Sequence, residues 1–111
     1  MNLTEIQFLV YEEYKKNGYH LMWEKAEIIL RNHELDGIVQ LGEIGLFCTE
    51  IAEAMEEVRD ANKNGELGNE LADIIIRVLN FASRKGINIE EKILLKHEKN
   101  LKRGQRHGRD I

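Results

Sequence analysis

The sequence predicts an all-α protein built as a helical bundle, on three observations. There is no proline in 111 residues, so nothing stiffens or interrupts a helix. Apolar residues recur at helical spacing in each long segment. The breaks between segments are short and carry Asn or Gly, as at Asn17-Gly18, Asn64-Gly65 and Lys85-Gly86.

A first helix is expected over about Thr4 to Lys16, with Ile6, Leu9, Val10 and Tyr14 on one stripe and Asn17-Gly18 as its stop. A second helical piece covers about Leu21 to Arg31 and carries Met22, Ala26, Ile29 and Leu30. Asn32 to Gly37 reads as a connection, with Asp36 placed to cap the next helix. That long helix spans about Ile38 to Asn62, although Gly42 and Gly45 each weaken it by up to ~1 kcal/mol relative to Ala. After the turn at Asn64-Gly65 a further helix runs from about Glu66 to Arg84. Asn88 caps a last helix from about Ile89 to Leu101, and Gly104 to Ile111 is a polar tail.

Residues 1–111 fit one domain, since domains commonly run ~100–150 residues and no repeat or linker divides this chain. A domain of that size supports one modest core, which an oligomer would extend. The net charge of −4 argues against a nucleic acid polymer as partner. A nucleotide remains open, because a bound cation can meet its phosphates. Cys48 is the only cysteine, which excludes an intrachain disulfide or a thiolate zinc site, and it reads as a small buried hydrophobe. No apolar run nears the ~20 residues of a membrane span, and no leader pattern opens the chain. The expected compartment is the cytoplasm, with no membrane partner.

Chemistry concentrates on the two central helices. In the long one, Ile44, Phe47, Cys48, Ile51, Met55 and Val58 share one side, while Glu43, Glu50, Glu53 and Glu57 form a second stripe. Taken alone, such a stripe is also what a solvated acidic face looks like. The next helix is apolar at nearly every position from Leu71 to Ala82 and is therefore expected to be buried. Glu70, Asp73, Arg77 and Asn80 form its one narrow polar stripe. Charges there are costly unless paired or coordinating a metal. An Asp73–Arg77 ion pair at i, i+4 would satisfy one carboxylate and leave Glu70. Antiparallel packing brings Glu50 and Glu53 to face Glu70 and Asp73. Mg²⁺ suits four such oxygen donors, and no His or Cys on the stripe invites a softer metal.

Thr49-Glu50-Ile51-Ala52-Glu53 and Asn69-Glu70-Leu71-Ala72-Asp73 resemble the E-x-x-E … E-x-x-D signature of the MazG-like all-α nucleoside triphosphate pyrophosphohydrolases. Lys96, Asn100, Arg103 and His107-Gly108 resemble that family's K-x-x-x-N-x-x-R-x-x-x-H-G tail, so the likeness covers about Leu46 to Gly108. The resemblance implies a four-helix-type bundle, here with an extra N-terminal helical segment, assembled as a homodimer or homotetramer. It implies Mg²⁺, with Mn²⁺ as a substitute, on Glu50, Glu53, Glu70 and Asp73. It further implies hydrolysis of an NTP or dNTP between the α- and β-phosphates, giving a nucleoside monophosphate and pyrophosphate.

In that reaction Glu50 or Glu53 would accept the proton of the attacking water, and the sequence does not choose between them. Lys96, Asn100 and Arg103 share a face of the last helix and could clamp phosphate oxygens. On spacing alone they equally suit a basic helix end favoured by the dipole. Trp23 could stack on a base, though core packing is the commoner fate of a Trp beside Met22 and Ala26. Two other readings compete. One is a non-catalytic helical interaction module with an acidic metal-binding stripe. The other is a di-iron bundle, which lacks its Glu-x-x-His pairs on the central helices.

Overall fold

The structure, a computed structural model, describes residues 1–60 and 66–104. Among these residues the chain forms five α-helices and no strand: α1 Leu3–Lys16, α2 Tyr19–Arg31, α3 Asp36–Arg59, α4 Leu67–Arg84 and α5 Ile89–Arg103. The all-α expectation is met. The turn expected at Asn64-Gly65 and the tail beyond Gly104 lie outside the described residues.

Local chemistry accounts for most of the boundaries. Asn2 starts α1 with a reciprocal cap: its side chain accepts from Glu5 N at 2.8 Å, and the Glu5 carboxylate accepts from Asn2 N at 3.4 Å. Gly18, at φ 86°, supplies the left-handed residue that turns α1 into α2. Asn88 caps α5 as expected, accepting from Glu91 N at 3.0 Å. Asp36 does not cap α3. The cap position is Leu35, with no side-chain bond, and Asp36 lies in the first turn, where its charge meets the helix dipole. The chain reaches α3 through backbone bonds instead, with the N–H groups of His33, Glu34 and Leu35 donating back to carbonyls at the end of α2.

α3 and α4 pack antiparallel at the centre, α1 lies against α4, and α2 lies against α3. α5 makes its main contact with α1. That junction is polar: Glu90 accepts from Leu3 N at 3.1 Å and from Thr4 Oγ1 at 2.7 Å. Buried Gln7 bridges the α4–α5 connection, donating to Ile87 O at 2.7 Å and accepting from Ile89 N at 3.1 Å. Beyond this junction α5 is exposed along its length.

Among the described residues the buried apolar set is small, consisting of Val39, Ala54, Leu79 and Ala82. α3 explains why: its acidic stripe faces inward, with Glu43 and Glu50 buried, so its apolar side faces outward. Ile44, Ile51, Met55 and Val58 are all exposed, Val58 at 70%. Two expectations are corrected by this orientation. Cys48 is exposed, because it lies on that outward side. α4 is not buried all round either: Leu71 and Ile75 lie open, Ile75 at 55%.

The protomer is consequently open. Its accessible surface is 8400 Å², against roughly 6300 Å² for a compact monomer of this mass. Its radius of gyration is 16.9 Å, against about 13 Å for a compact domain of this length. No helix among the described residues is long and apolar enough to cross a membrane.

Candidate metal centre and adjoining pocket

The α3–α4 interface is a ladder of charged rungs spaced seven residues apart on both helices. Seven residues are nearly two full turns, so side chains at that spacing stay on one face. At the first rung, Arg84 donates Nε to Glu43 Oε2 at 3.1 Å and binds both Glu43 Oε1 and Glu27 Oε1 through Nη2. Lys85 adds a second cation at 2.9 Å from Glu27. Two carboxylates and two cations are thus matched among α2, α3 and α4, with the Arg84 side chain only 3% exposed. Burial by itself would raise the Glu27 pKa, but bonds and charge from Arg84 and Lys85 outweigh it and hold that carboxyl below its usual range.

The second rung pairs Arg77 Nε with Glu50 Oε1 at 2.5 Å. The expected Asp73–Arg77 pair gives way to this one. A neighbour across the helix pair, buried and short, offers a stronger partner than an exposed one on the same helix. The Glu50 hydrogen bond raises the Arg77 pKa against the opposing effect of burial.

At the third rung the pattern breaks. Opposite Glu57 of α3, where two rungs place an arginine on α4, stands Glu70. Glu70 Oε2 is buried without a hydrogen-bond partner. Its pKa is raised, first by loss of solvent, then by the bond to and charge of Glu53, then by Asp73 and Glu57. Carboxylate oxygens of Glu50, Glu53 and Glu70 lie within 4.8 Å of one another. Asp73, one turn along α4, is exposed and outside that three-oxygen set, yet near enough for its charge to act on Glu70. Acid faces acid here, and a buried oxygen lacks a donor. An all-oxygen set of this kind fits a hard divalent cation.

Beside the second rung a cavity of about 380 Å³ opens between α1, α2, α3 and α4. Tyr14, Tyr19, Trp23 and Phe47 supply aromatic wall, and Arg77 and Asn80 supply polar groups. Trp23 is half-buried and lines this cavity. Asn80, at the end of the polar stripe of α4, is 5% exposed and held by His20, with Nε2 to Oδ1 at 2.6 Å.

The structure does not bring every predicted site residue together. Lys96, Asn100 and Arg103 lie exposed on α5, which makes its main contact with α1 and not with the acidic pair of helices. Lys96 and Asn100 line a shallow groove with Lys92 and Ile93. His107 falls outside the described residues. Sequence reasoning misses the parts played by Glu27, Arg84 and His20. A signal for Arg84 is present, since Arg77 and Arg84 repeat the seven-residue spacing of Glu43, Glu50 and Glu57.

The MazG nucleotide pyrophosphohydrolase domain family matches residues 45–107, which spans α3 from its tenth residue through α5. More than half of the chain is covered, and the chain belongs to this family. No curated protein and no solved structure matches it. α1 and α2, which wall much of the cavity, precede the matched region.

Proposed function

We propose that the chain, as one domain over residues 1–111, is a divalent-metal-dependent nucleoside triphosphate pyrophosphohydrolase. It would cleave an NTP or dNTP to the nucleoside monophosphate and pyrophosphate. The observation that carries this reading is the third rung, where three carboxylates converge around a buried Glu70 oxygen that has no partner. Glu50, Glu53 and Glu70 would hold Mg²⁺ or Mn²⁺, with Asp73 the fourth donor one turn away. When bound, the cation supplies charge neutralisation for phosphate oxygens and acidifies a coordinated water.

The chain's own groups divide the remaining work. Arg77 ties Glu50 in place through Nε and keeps its other N–H donors for the cavity side, where a phosphate or sugar oxygen would sit. Glu53 is the better placed proton acceptor, because Glu50 already accepts from Arg77. The aromatic cavity beside Arg77 would take the nucleoside, excluding water from one side of the reacting phosphate. Lys96, Asn100 and Arg103 would reach phosphate only from α5 of a second protomer or after α5 moves.

A panel of NTPs and dNTPs with Mg²⁺ tests the reaction. Pyrophosphate and the monophosphate should appear together as first products, whereas a nucleoside diphosphate with free orthophosphate would reject the assignment.

Assembly is part of the proposal. The outward apolar side of α3, the open face of α4 and the surface excess of the protomer all favour a homodimer or homotetramer. Light scattering at micromolar protein should give at least twice the 12.9 kDa chain mass. A fully active species at the monomer mass would rule out the assembly.

A further inference from the structure

We infer that the cavity selects nucleobases carrying a ring carbonyl, such as uracil or hypoxanthine, over adenine, and that Asn80 is the residue that reads the carbonyl. The inference rests on the proposal that this site takes a nucleotide.

The two ends of the Asn80 amide have different surroundings. Its oxygen is engaged, because His20 Nε2 lies 2.6 Å from Oδ1 and a carbonyl oxygen can only accept. The imidazole therefore donates. Its ring is held in turn by Tyr11, with centroids 4.7 Å apart. Both groups are buried, His20 at 2% exposure and with Nδ1 unpartnered, so turning the amide over would shift the imidazole N–H to Nδ1, where nothing accepts it.

That leaves the NH₂ end. Among the described residues it donates to nothing, although Asn80 is nineteen-twentieths buried and lines the cavity. An unpaired donor on an otherwise buried side chain that lines an aromatic-walled space can read an acceptor. The neighbouring acid does not offset it, because both oxygens of Glu43 are already taken by Arg84. Adenine presents an amino group where hypoxanthine presents a carbonyl, so it would set donor against donor. A site built around a buried hydrogen bond rejects the analogue lacking the partner far more strongly than an apolar pocket rejects a change of shape.

Stacking supplies affinity and the amide supplies choice. Tyr14, Tyr19 and Trp23 can face any base, since every base has a π-face. His20 is a positioning residue in this scheme, because it fixes which end of Asn80 faces the base without touching it.

The test uses the full-length protein with Mg²⁺ and 5′-monophosphates, which do not turn over, and reads quenching of Trp23, the only tryptophan. UMP or IMP should bind at least about fivefold more tightly than AMP, the lower end of what one donor left unpaired is worth. IMP and AMP are matched in ring size, so that comparison isolates the carbonyl. Asn80→Asp should lose or reverse the preference, because a carboxylate accepts from an amino group. His20→Phe should keep the helical content, checked by circular dichroism, and still quench, but with a smaller ratio. AMP binding as tightly as both UMP and IMP, or an unchanged ratio in Asn80→Asp, would overturn the inference. An unchanged ratio in His20→Phe would overturn the positioning role. Carbonyl selectivity without pyrophosphate release would leave this inference standing and sink the hydrolase, while unselective pyrophosphate release would do the reverse.

Discussion

Turnover falls by roughly two to three orders of magnitude in Glu53→Gln, the loss expected when one preorganised charge is removed from a phosphoryl-transfer site. The substitution keeps the size of the side chain and deletes its negative charge. Glu53 is exposed on α3 and forms none of the buried ion pairs, so helicity and basal stability should hold. What should change is the response to metal. A ligand present at a hundred times its dissociation constant stabilises the fold by about 2.7 kcal/mol, or roughly 10 °C in a domain this small. The wild-type protein should show a rise of that order with Mg²⁺, and Glu53→Gln should show much less. Asp73→Asn tests the fourth donor in the same way. Near-normal rates in both variants would remove the metal from the third rung.

The largest stability loss is expected at the opposite end of the ladder. Arg84→Met keeps the aliphatic stem and removes a guanidinium that two buried carboxylates share. Deleting one partner of a buried pair costs about 3–5 kcal/mol, because the charges left behind are uncompensated. Set against a typical total of about 5–15 kcal/mol, this places the variant near the limit of folding. Arg84→Lys should fall between, retaining the charge but not the fork that reaches both Glu27 and Glu43. Urea midpoints with unchanged slopes measure the effect. A loss below about 1 kcal/mol would mean that the rung behaves as an exposed pair does.

The same rung sets a pH dependence. The Glu27 pKa is lowered in the folded protein, so its stabilisation is fully present above the ordinary glutamate value. It is lost as pH falls through the lowered, folded-state value. Arg84→Met should flatten this acid limb along with lowering overall stability.

The sequence makes the helices legible because their signals are local: spacing, Asn and Gly stops, and the Asn88 cap can be read within a dozen residues. The two acidic pairs are legible for the same reason, being short patterns on single helices. Direction is harder. The sequence reads Glu50 as facing α4 but also reads Cys48 as buried; with Glu43 and Glu50 turned inward to Arg84 and Arg77, the apolar side that carries Cys48 is left open. Only the relation between two helices carries that information. Arg77 shows the limit most directly, since i, i+4 proximity points to Asp73 and packing delivers Glu50. The Glu27 contact joins residues 57 positions apart, and the His20–Asn80 contact joins residues 60 apart. Neither leaves a local trace.

The ladder has a consequence for how α3 and α4 find their alignment. Because the rungs repeat every seven residues, sliding α4 by one repeat would still oppose Arg84 to Glu50 and Arg77 to Glu57. Ion pairing between these two helices is therefore nearly degenerate between two registers. Two features break the tie. Glu27 on α2 can chelate Arg84 together with Glu43 only in the native alignment. The slipped alignment would also draw the first turn of α4, Leu67 to Glu70, into the connection and dismantle the three-carboxylate cluster. A cation seated on Glu50, Glu53 and Glu70 would accordingly act as a pin, stapling one helix to the other at a single address along a track that otherwise offers two.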